Sequence, residues 1–202
     1  MSSVVDIVNL ALSHLGDDAT VSSIDPPEGS AEAEHAATFY PMARDTLLEM
    51  HDWRFATKRA MLAPTVSDTF EWSCAYAVPS DMLRALAVLP ATARADADSE
   101  DYDQQLDASS ALIILTNCQA ASLKYTVRAI DPARFPPLFV DALSWLLAGH
   151  MAGPLIKGEQ GRSVAKGCLQ MFGAMLAQAR MSDANQRQVR PTHTPDFIEA
   201  RG

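Results

Sequence analysis

Apolar residues recur every three or four positions near the start of the chain, and this spacing predicts an amphipathic helix. Its apolar face is formed by Val5, Val8, Leu12 and Leu15. Ser3 and Asp6 have the spacing of a capping box, in which each side chain bonds the other residue's backbone N–H. Gly16 is a typical residue just after a helix end. The pattern therefore predicts a first helix over residues 3–15.

A second amphipathic stripe begins after a loop rich in Asp, Ser, Pro and Gly. Its apolar positions are Ala33, Ala36, Tyr40, Ala43, Leu47 and Met50. Ser30 stands at the N-cap position, where a hydroxyl accepts a hydrogen bond from a free backbone N–H. Pro41 lies inside the stripe and removes one backbone hydrogen bond. We predict a second helix over 30–51, bent near Tyr40.

The stretch 138–151 is apolar on nearly every side, which predicts a helix that ends at Gly153 and Pro154. Such a helix must be covered all round, either by its own domain or by neighbouring subunits. We expect it to contribute to an interface between copies, with Trp145 as one of the contacting residues.

A fourth helix is predicted over residues 159–183 from another apolar stripe. Gly161, Gly167 and Gly173 interrupt it, and each glycine weakens a helix by about 1 kcal/mol relative to alanine. We expect these glycines to permit the close approach of another backbone, and we assign Gly167 and Gly173 to a protein interface.

The helical period is lost between residues 55 and 128. Short apolar runs separated by Pro64, Pro79 and Pro90, with alternation at 123–128, predict one small antiparallel sheet of four to six strands. The fold class is therefore α+β: a helical bundle of about four helices (1–53 and 132–184) with a β insertion (54–131).

No periodicity remains after residue 184, and the segment 185–202 is predicted to be an extended C-terminal tail. A segment of this kind can become ordered by lying on another chain. The tail residues assigned to a protein interface are Arg187, Arg190, Pro191, Phe197 and Ile198.

Composition and charge limit the classes of function that the chain can have. The chain has 202 residues and a formal net charge of −9, so it is not expected to bind nucleic acid by neutralising phosphates. Cys74, Cys118 and Cys168 are far apart and form no CxxC pair, which disfavours a zinc site and fits free thiols. Neither a signal peptide nor a membrane span is expected.

An acidic stretch resembles a calcium-binding loop in part. Its acids are Asp96, Asp98, Glu100, Asp101 and Asp103. Counting from Asp96, acids occupy positions 1, 3, 5 and 12 (Asp107), but position 6 is Asp101 where a calcium loop needs glycine. A solvated acidic loop, negative toward a channel, is favoured. A calcium-dependent binding module using 96–107 is retained as the alternative.

The sequence offers little else that could be catalytic. His51 and Asp52 could form a base and its orienting acid, but adjacent residues seldom face each other and no nucleophile motif such as GxSxG occurs. The glycine-containing turn 158–163 lacks the lysine of a phosphate-binding loop. We therefore predict neither catalytic residues nor a cofactor. The scattered Arg and Lys residues pair with acids either within the chain or on an adjacent copy.

Several segments, in order, resemble the tail tubular protein A family, the head-to-tail adaptors of short-tailed bacteriophages. They are VDIVNLALSHLG (5–16), YPMAR (40–44), HDWRFA (51–56), YAVPSDMLR (76–84) and DPARF (131–135). Each motif is weakly specific alone, whereas the ordered set, which extends over most of 3–180, is fairly specific. Asp52 departs from the family, which usually has proline there, and the acidic stretch 96–103 has no counterpart.

The resemblance implies a helical bundle with a β insertion that assembles into a ring, twelvefold in this family, between the portal of a capsid and the tail nozzle. The implied partners are identical subunits, the portal protein, the nozzle protein and DNA that passes through the lumen without sequence-specific binding. The implied location is the virion head–tail junction, after synthesis in the host cytoplasm, with no membrane involved. We expect a structural protein and no enzyme.

Overall fold

The protein has an α+β fold in the computed structural model, which describes residues 2–66, 71–93 and 98–186. Its helices are Val4–His14 (α1), Ala31–Glu49 (α2), Pro137–Ile156 (α3) and Gly158–Asn185 (α4). Its strands are Thr57–Met61 (β1), Ala63–Thr65 (β2), Cys74–Ala77 (β3), Met82–Pro90 (β4), Tyr102–Leu106 (β5), Leu112–Thr116 (β6) and Ala121–Val127 (β7). Short 3-10 helices, Arg54–Ala56 and Pro132–Arg134, lie where the chain enters and leaves the β region.

Local capping signals determine where α1 and α2 begin. The Ser3 hydroxyl accepts a hydrogen bond from the Asp6 backbone N–H at 3.1 Å, and the Asp6 carboxylate accepts one from the Ser3 N–H at 2.8 Å. The Ser30 hydroxyl accepts from the backbone N–H of Ala33 at 3.2 Å. The predicted capping box and the predicted N-cap are both confirmed. α2 is continuous through Pro41, and the Pro41 residue is exposed to solvent.

The predicted end of α3 is wrong, because the helix continues through Gly153 and Pro154 to Ile156. A proline near a helix end removes one backbone hydrogen bond and can be tolerated when packing holds the last turn. Here the half-buried Leu155 packs on the helical core. The helix ends at Lys157, whose positive φ of 58° turns the chain directly into α4.

One chain covers α3 by itself. No residue in 138–151 is exposed, and most are buried against α1, α2 and α4. Of the two predicted ways to cover this helix, burial in its own chain is the one observed, so α3 does not need neighbouring subunits. By length and composition α3 could cross a bilayer, since its most apolar 18-residue stretch has a mean hydropathy of 1.3. However, 56% of that stretch is buried inside the protein.

The β region contains two antiparallel sheets, so the prediction of one sheet is wrong. One sheet has the strand order β1-β7-β4 and the other the order β2-β3-β6-β5. Tyr76 and Ile114 from the second sheet share a hydrophobic cluster with Val88, Leu123 and Tyr125 from the first. The two sheets therefore pack on each other through a small core of their own.

Part of the predicted acidic loop is a strand. Asp103 lies in β5, where it is paired with Leu115 of β6, and the Glu100 backbone N–H donates to the Val88 carbonyl at 2.8 Å. β5 is the last strand of its sheet and its side chains are mostly exposed. β5 carries no apolar alternation, because only Tyr102 among its side chains packs on the core between the sheets.

An aromatic cluster joins the helices to the start of the β region. Trp53 is 1% exposed and donates its indole N–H to the Leu47 carbonyl at 2.8 Å. Its ring meets the Phe139 ring edge-on, with centroids 5.1 Å apart. Phe55 and Phe135 complete the cluster around Phe139. Residues from both ends of the β region are thereby fixed to α3.

The α4 glycines differ in what surrounds them. A Cβ on Gly161 would lie 3.0 Å from the Ala152 carbonyl oxygen, whereas one on Gly167 or Gly173 would meet nothing within 4 Å. The predicted close approach of two backbones therefore holds within the chain at Gly161, where α4 packs on α3. Gly167 and Gly173 face outward.

We expect opposite effects from alanine at these positions. Gly167→Ala should stabilise the chain by about 1 kcal/mol through helix propensity. Gly161→Ala should destabilise it by about 1 kcal/mol, because overpacking against a carbonyl outweighs the same gain. Urea unfolding followed by circular dichroism would measure both. Stabilisation by Gly161→Ala would contradict the close α3–α4 contact.

Candidate functional site

A polar cleft of about 610 Å³ lies where the end of α4 meets the β region. It is lined by His51, Asp52, Arg54, Thr57, Lys124, Asp183 and Ala184. These residues come from the segment after α2, from strands β1 and β7, and from the last turn of α4. The cleft thus lies at the junction of the helical and β parts of the chain.

Asp183 organises this cleft from a buried position. Its side chain is 6% exposed and accepts hydrogen bonds from the Arg54 backbone N–H at 3.0 Å and from His51 Nε2 at 3.3 Å. Its backbone carbonyl accepts a further bond from Arg54 Nε at 3.0 Å. A carboxylate near the C-terminal end of a helix is unfavourable in the helix dipole, so these donors offset that cost. The arrangement ties α4 to the entry of the β region.

His51 and Asp52 do not face each other. His51 lies edge-on to Trp53, with ring centroids 4.8 Å apart, and bonds Asp183. Asp52 instead forms an ion pair with Arg84 at the start of β4. The two side chains therefore serve two separate contacts that hold the junction together, and they do not form the base and orienting acid considered from the sequence.

Six basic residues form ion pairs within the described part of the chain. The ion pairs are Arg44–Asp45, Arg54–Asp183, Lys58–Asp81, Arg84–Asp52, Arg128–Asp45 and Arg134–Asp131. Arg59 differs, since its guanidinium donates to the Ser122 hydroxyl at 3.1 Å. Of the two predicted alternatives, pairing within the chain accounts for all six of these pairs.

The acidic stretch gathers no metal ligands in the part that the structure describes. Among residues 2–66, 71–93 and 98–186, no three His, Cys, Asp or Glu side chains are arranged to hold an ion. Asp107, at position 12 of the supposed loop, accepts bonds from the backbone N–H groups of Ser109 and Ala111 in the β5–β6 turn. Asp96 lies outside the described residues. Calcium binding therefore stays a prediction.

The exposed side of α4 has an unusual composition. Every exposed residue from Gly167 to Gln186 is uncharged, although charged residues make up 20% of the chain. Met171 and Met181 are 42% and 68% exposed on this side. Small residues, including Gly173, separate the methionines. We call the exposed residues of 167–186 the outer face of α4. An uncharged face with exposed methionines is typical of contact surfaces.

The predicted interface residue Trp145 is half-buried on α3. Its ring stacks on His14 of α1, with centroids 3.6 Å apart and planes 8° from parallel. His14 Nε2 also lies 3.0 Å from the Ser144 hydroxyl. Within one chain Trp145 thus joins α1 to α3, and its contact with another copy stays a prediction.

Stability should fall as the pH drops below neutrality. Burial lowers the pKa of His14, an effect partly opposed by Asp141, and burial also lowers the pKa of His150. A histidine whose pKa is lowered in the fold contributes stability above its unfolded pKa of about 6.5 that is lost as the pH falls. The free energy of unfolding should therefore be smaller at about pH 5.5 than at about pH 7.5.

A variant with His14→Gln and His150→Gln should lose less stability over the same interval. Carboxyl groups whose pKa the fold lowers, such as that of Asp81, titrate below this range and do not contribute to the difference. Urea titrations at both pH values would measure the effect. An unchanged pH dependence in the double variant would contradict the assignment to these two histidines.

The remaining predicted interface residues are in the C-terminal tail. Arg187, Arg190, Pro191, Phe197 and Ile198 lie outside the described residues. Comparison with known proteins adds no assignment, since no protein-family model matches this sequence and no curated protein matches it. The resemblance to the phage adaptors rests on the motifs of the sequence alone.

Proposed function

We propose that this chain is a structural subunit that associates side by side with identical copies through the outer face of α4. In this proposal the copies form a ring that joins a phage portal to the tail nozzle and lets DNA pass. The helices act as a bundle that carries the ring contacts, and the β region projects from it as an insertion. The phage context of this proposal comes from the sequence motifs that resemble the adaptor family.

The outer face of α4 is the observation that carries the proposal. α4 has 28 residues and packs on α3 along one side. On its other side, the exposed positions from 167 to 186 hold no charge that would have to lose water on association. Burying charged groups without partners is costly, so a long exposed face without charges favours contact with another protein. Gly167 and Gly173 leave room on this face for a close approach.

The internal ion pairs also support a preformed subunit. The junction between helices and sheets is held within one chain by Asp183 with Arg54 and by Asp52 with Arg84. A subunit whose parts are fixed in this way can present the outer face of α4 without refolding. Pre-organisation of this kind lowers the cost of association.

Mass photometry of the purified chain, alone and with the portal protein from the same genome, tests the proposal. We expect ring-sized oligomers at least in the presence of the portal protein. Ala174 is exposed in the middle of the outer face of α4, so Ala174→Glu places a charge there and should abolish them. Ala31→Glu is the matched control, because Ala31 is an exposed helical alanine at the start of α2, where an acid is favoured by the helix dipole.

Two results would count against the proposal. A chain that stays monomeric with and without the portal protein would contradict ring formation. Rings that form equally well with Ala174→Glu would contradict the assignment of the contact to α4.

A further inference from the structure

The end of the β5–β6 hairpin is an exposed arm with an apolar tip. Every residue from Asp103 to Leu112 is exposed except Asp107, which is half-buried. Leu106 and Leu112 are paired across the hairpin and are 66% and 41% exposed. Directly paired residues of an antiparallel pair point to the same side, so the two leucines form one apolar surface. We call residues 101–112 the hairpin arm.

Hydrogen bonds fix the conformation of the turn in this arm. The Asp107 carboxylate accepts bonds from the backbone N–H groups of Ser109 and Ala111 at 2.8 and 2.9 Å. The Asp107 N–H donates to the Ala111 carbonyl at 2.9 Å. A tip that is already ordered loses little conformational freedom when it docks, which favours its use as a contact.

A cleft with complementary chemistry lies at the start of β1 and the end of β7. It has a volume of about 390 Å³, and neither leucine of the hairpin arm lines it in its own chain. Its apolar lining residues are Phe55, Ala56, Val127, Ala129 and Ile130. Ile130 is 67% exposed, so this apolar lining is open to solvent in the single chain. We call this surface the Ile130 cleft.

Charge distinguishes the Ile130 cleft from two other large concave surfaces. With histidine counted as neutral, the Asp183 cleft and a groove between α1 and α2 each have equal numbers of acidic and basic lining residues. The Ile130 cleft has three basic lining residues, Lys58, Arg128 and Arg134, and two acids, Asp81 and Asp131. The hairpin arm contains three aspartates and no Lys or Arg. Opposite charges favour and orient docking.

The ion pairs within the chain leave this positive charge available. Lys58 and Arg134 pair with the two acids of the lining. Arg128 instead shares Asp45 with Arg44, so these two guanidinium groups carry one charge more than their acid. The side chains of all three basic lining residues are more than half exposed and can accept a second acidic neighbour.

We propose that the hairpin arm of one copy docks in the Ile130 cleft of the next copy, with Leu106 and Leu112 against the apolar lining. The aspartates of the arm then lie toward the basic residues of the cleft. Arm and cleft are different surfaces of the chain, so the contact is head-to-tail, the kind of contact from which closed rings are built. The inference rests on the proposed ring and names a contact in it besides the outer face of α4.

Photo-cross-linking in the assembled ring tests the inference. A chain with p-benzoylphenylalanine in place of Leu106 is mixed with an isotopically labelled chain that lacks this change, and the mixture is assembled with the portal protein. Mass spectrometry should find cross-links from position 106 to residues 55–58 or 127–134 of the labelled copy.

A charge reversal in the labelled chain makes the test specific. Arg134→Glu should lower the yield about fivefold, the equivalent of about 1 kcal/mol for one exposed ion pair. The Arg134 side chain is 80% exposed, so the change should not disturb folding. Arg162→Glu is the matched control, since Arg162 is exposed and does not line the cleft.

Three results obtained with intact rings would overturn the inference and leave the ring itself standing. They are cross-links only to other surfaces, cross-links to the cleft only within one chain, and equal yields with Arg134→Glu and Arg162→Glu. A chain that forms no ring would remove the inference together with the proposed function.

Discussion

Replacing Trp53 with alanine should destabilise the protein by about 3–5 kcal/mol, as is usual for a fully buried large aromatic residue. Trp53 packs edge-on against Phe139 of α3 and is 1% exposed. Its indole N–H bonds the Leu47 carbonyl, one of the last carbonyls of α2, which lack partners inside the helix. The substitution therefore removes core packing and a helix-end hydrogen bond at once.

Trp53→Phe is the appropriate comparison, because it keeps a buried ring and removes the N–H donor. It should cost clearly less than Trp53→Ala. Urea unfolding monitored by far-UV circular dichroism is suitable for both, since it does not depend on tryptophan fluorescence. A loss below about 1 kcal/mol for Trp53→Ala would contradict the central place of this residue in the core.

Asp183→Ala should cost about 3 kcal/mol, because it removes a buried charged acceptor and leaves its donors without their partner. The Arg54 backbone N–H and His51 both bond this carboxylate. Since these residues lead from α2 into β1, we expect the loss to loosen the junction between the helices and the sheets. Hydrogen exchange should increase first in the segment around Arg54 and at the end of α4.

Asp52→Ala provides a matched control in the same cleft. The Asp52 side chain is 61% exposed and pairs with Arg84, whose side chain is also partly exposed. Exposed ion pairs contribute about 0–1 kcal/mol, so this variant should unfold nearly like the unchanged chain. Equal losses for the two variants would show that burial of Asp183 does not determine its contribution.

The elements that the sequence predicted well are those specified by neighbouring residues. The start of α1 depends on Ser3 and Asp6, which are three residues apart, and the start of α2 depends on Ser30. The end of α3 was missed because Pro154 is tolerated by packing of α3 on the core. That packing involves residues far away in the chain, so the sequence around Pro154 does not indicate it.

The β region was predicted less well for a related reason. Lys58 of β1 pairs with Tyr125 of β7, and β3 pairs with β6 as well as with its neighbour in the chain, β2. Short runs of apolar residues indicate strands but do not specify such distant partners. β5 carries one exposed acid, Asp103, and its first two residues lie in the stretch that the sequence indicated to be a loop.

Asp183 organises the cleft, and the sequence did not single it out. Its partners His51 and Arg54 lie 132 and 129 residues away in the sequence. One signal was present, since an acid near the C-terminal end of a helix is unfavourable unless donors compensate for it. The outer face of α4 was predicted only through Gly167 and Gly173, because its extent depends on which side of α4 packs on α3.

The most direct test of the proposed function is a cryo-electron-microscopy reconstruction of the chain assembled with its portal protein. We predict a closed ring in which the outer face of α4, residues 167–186, is buried between adjacent copies. An assembled ring in which this face remains exposed to solvent would contradict the proposed contact.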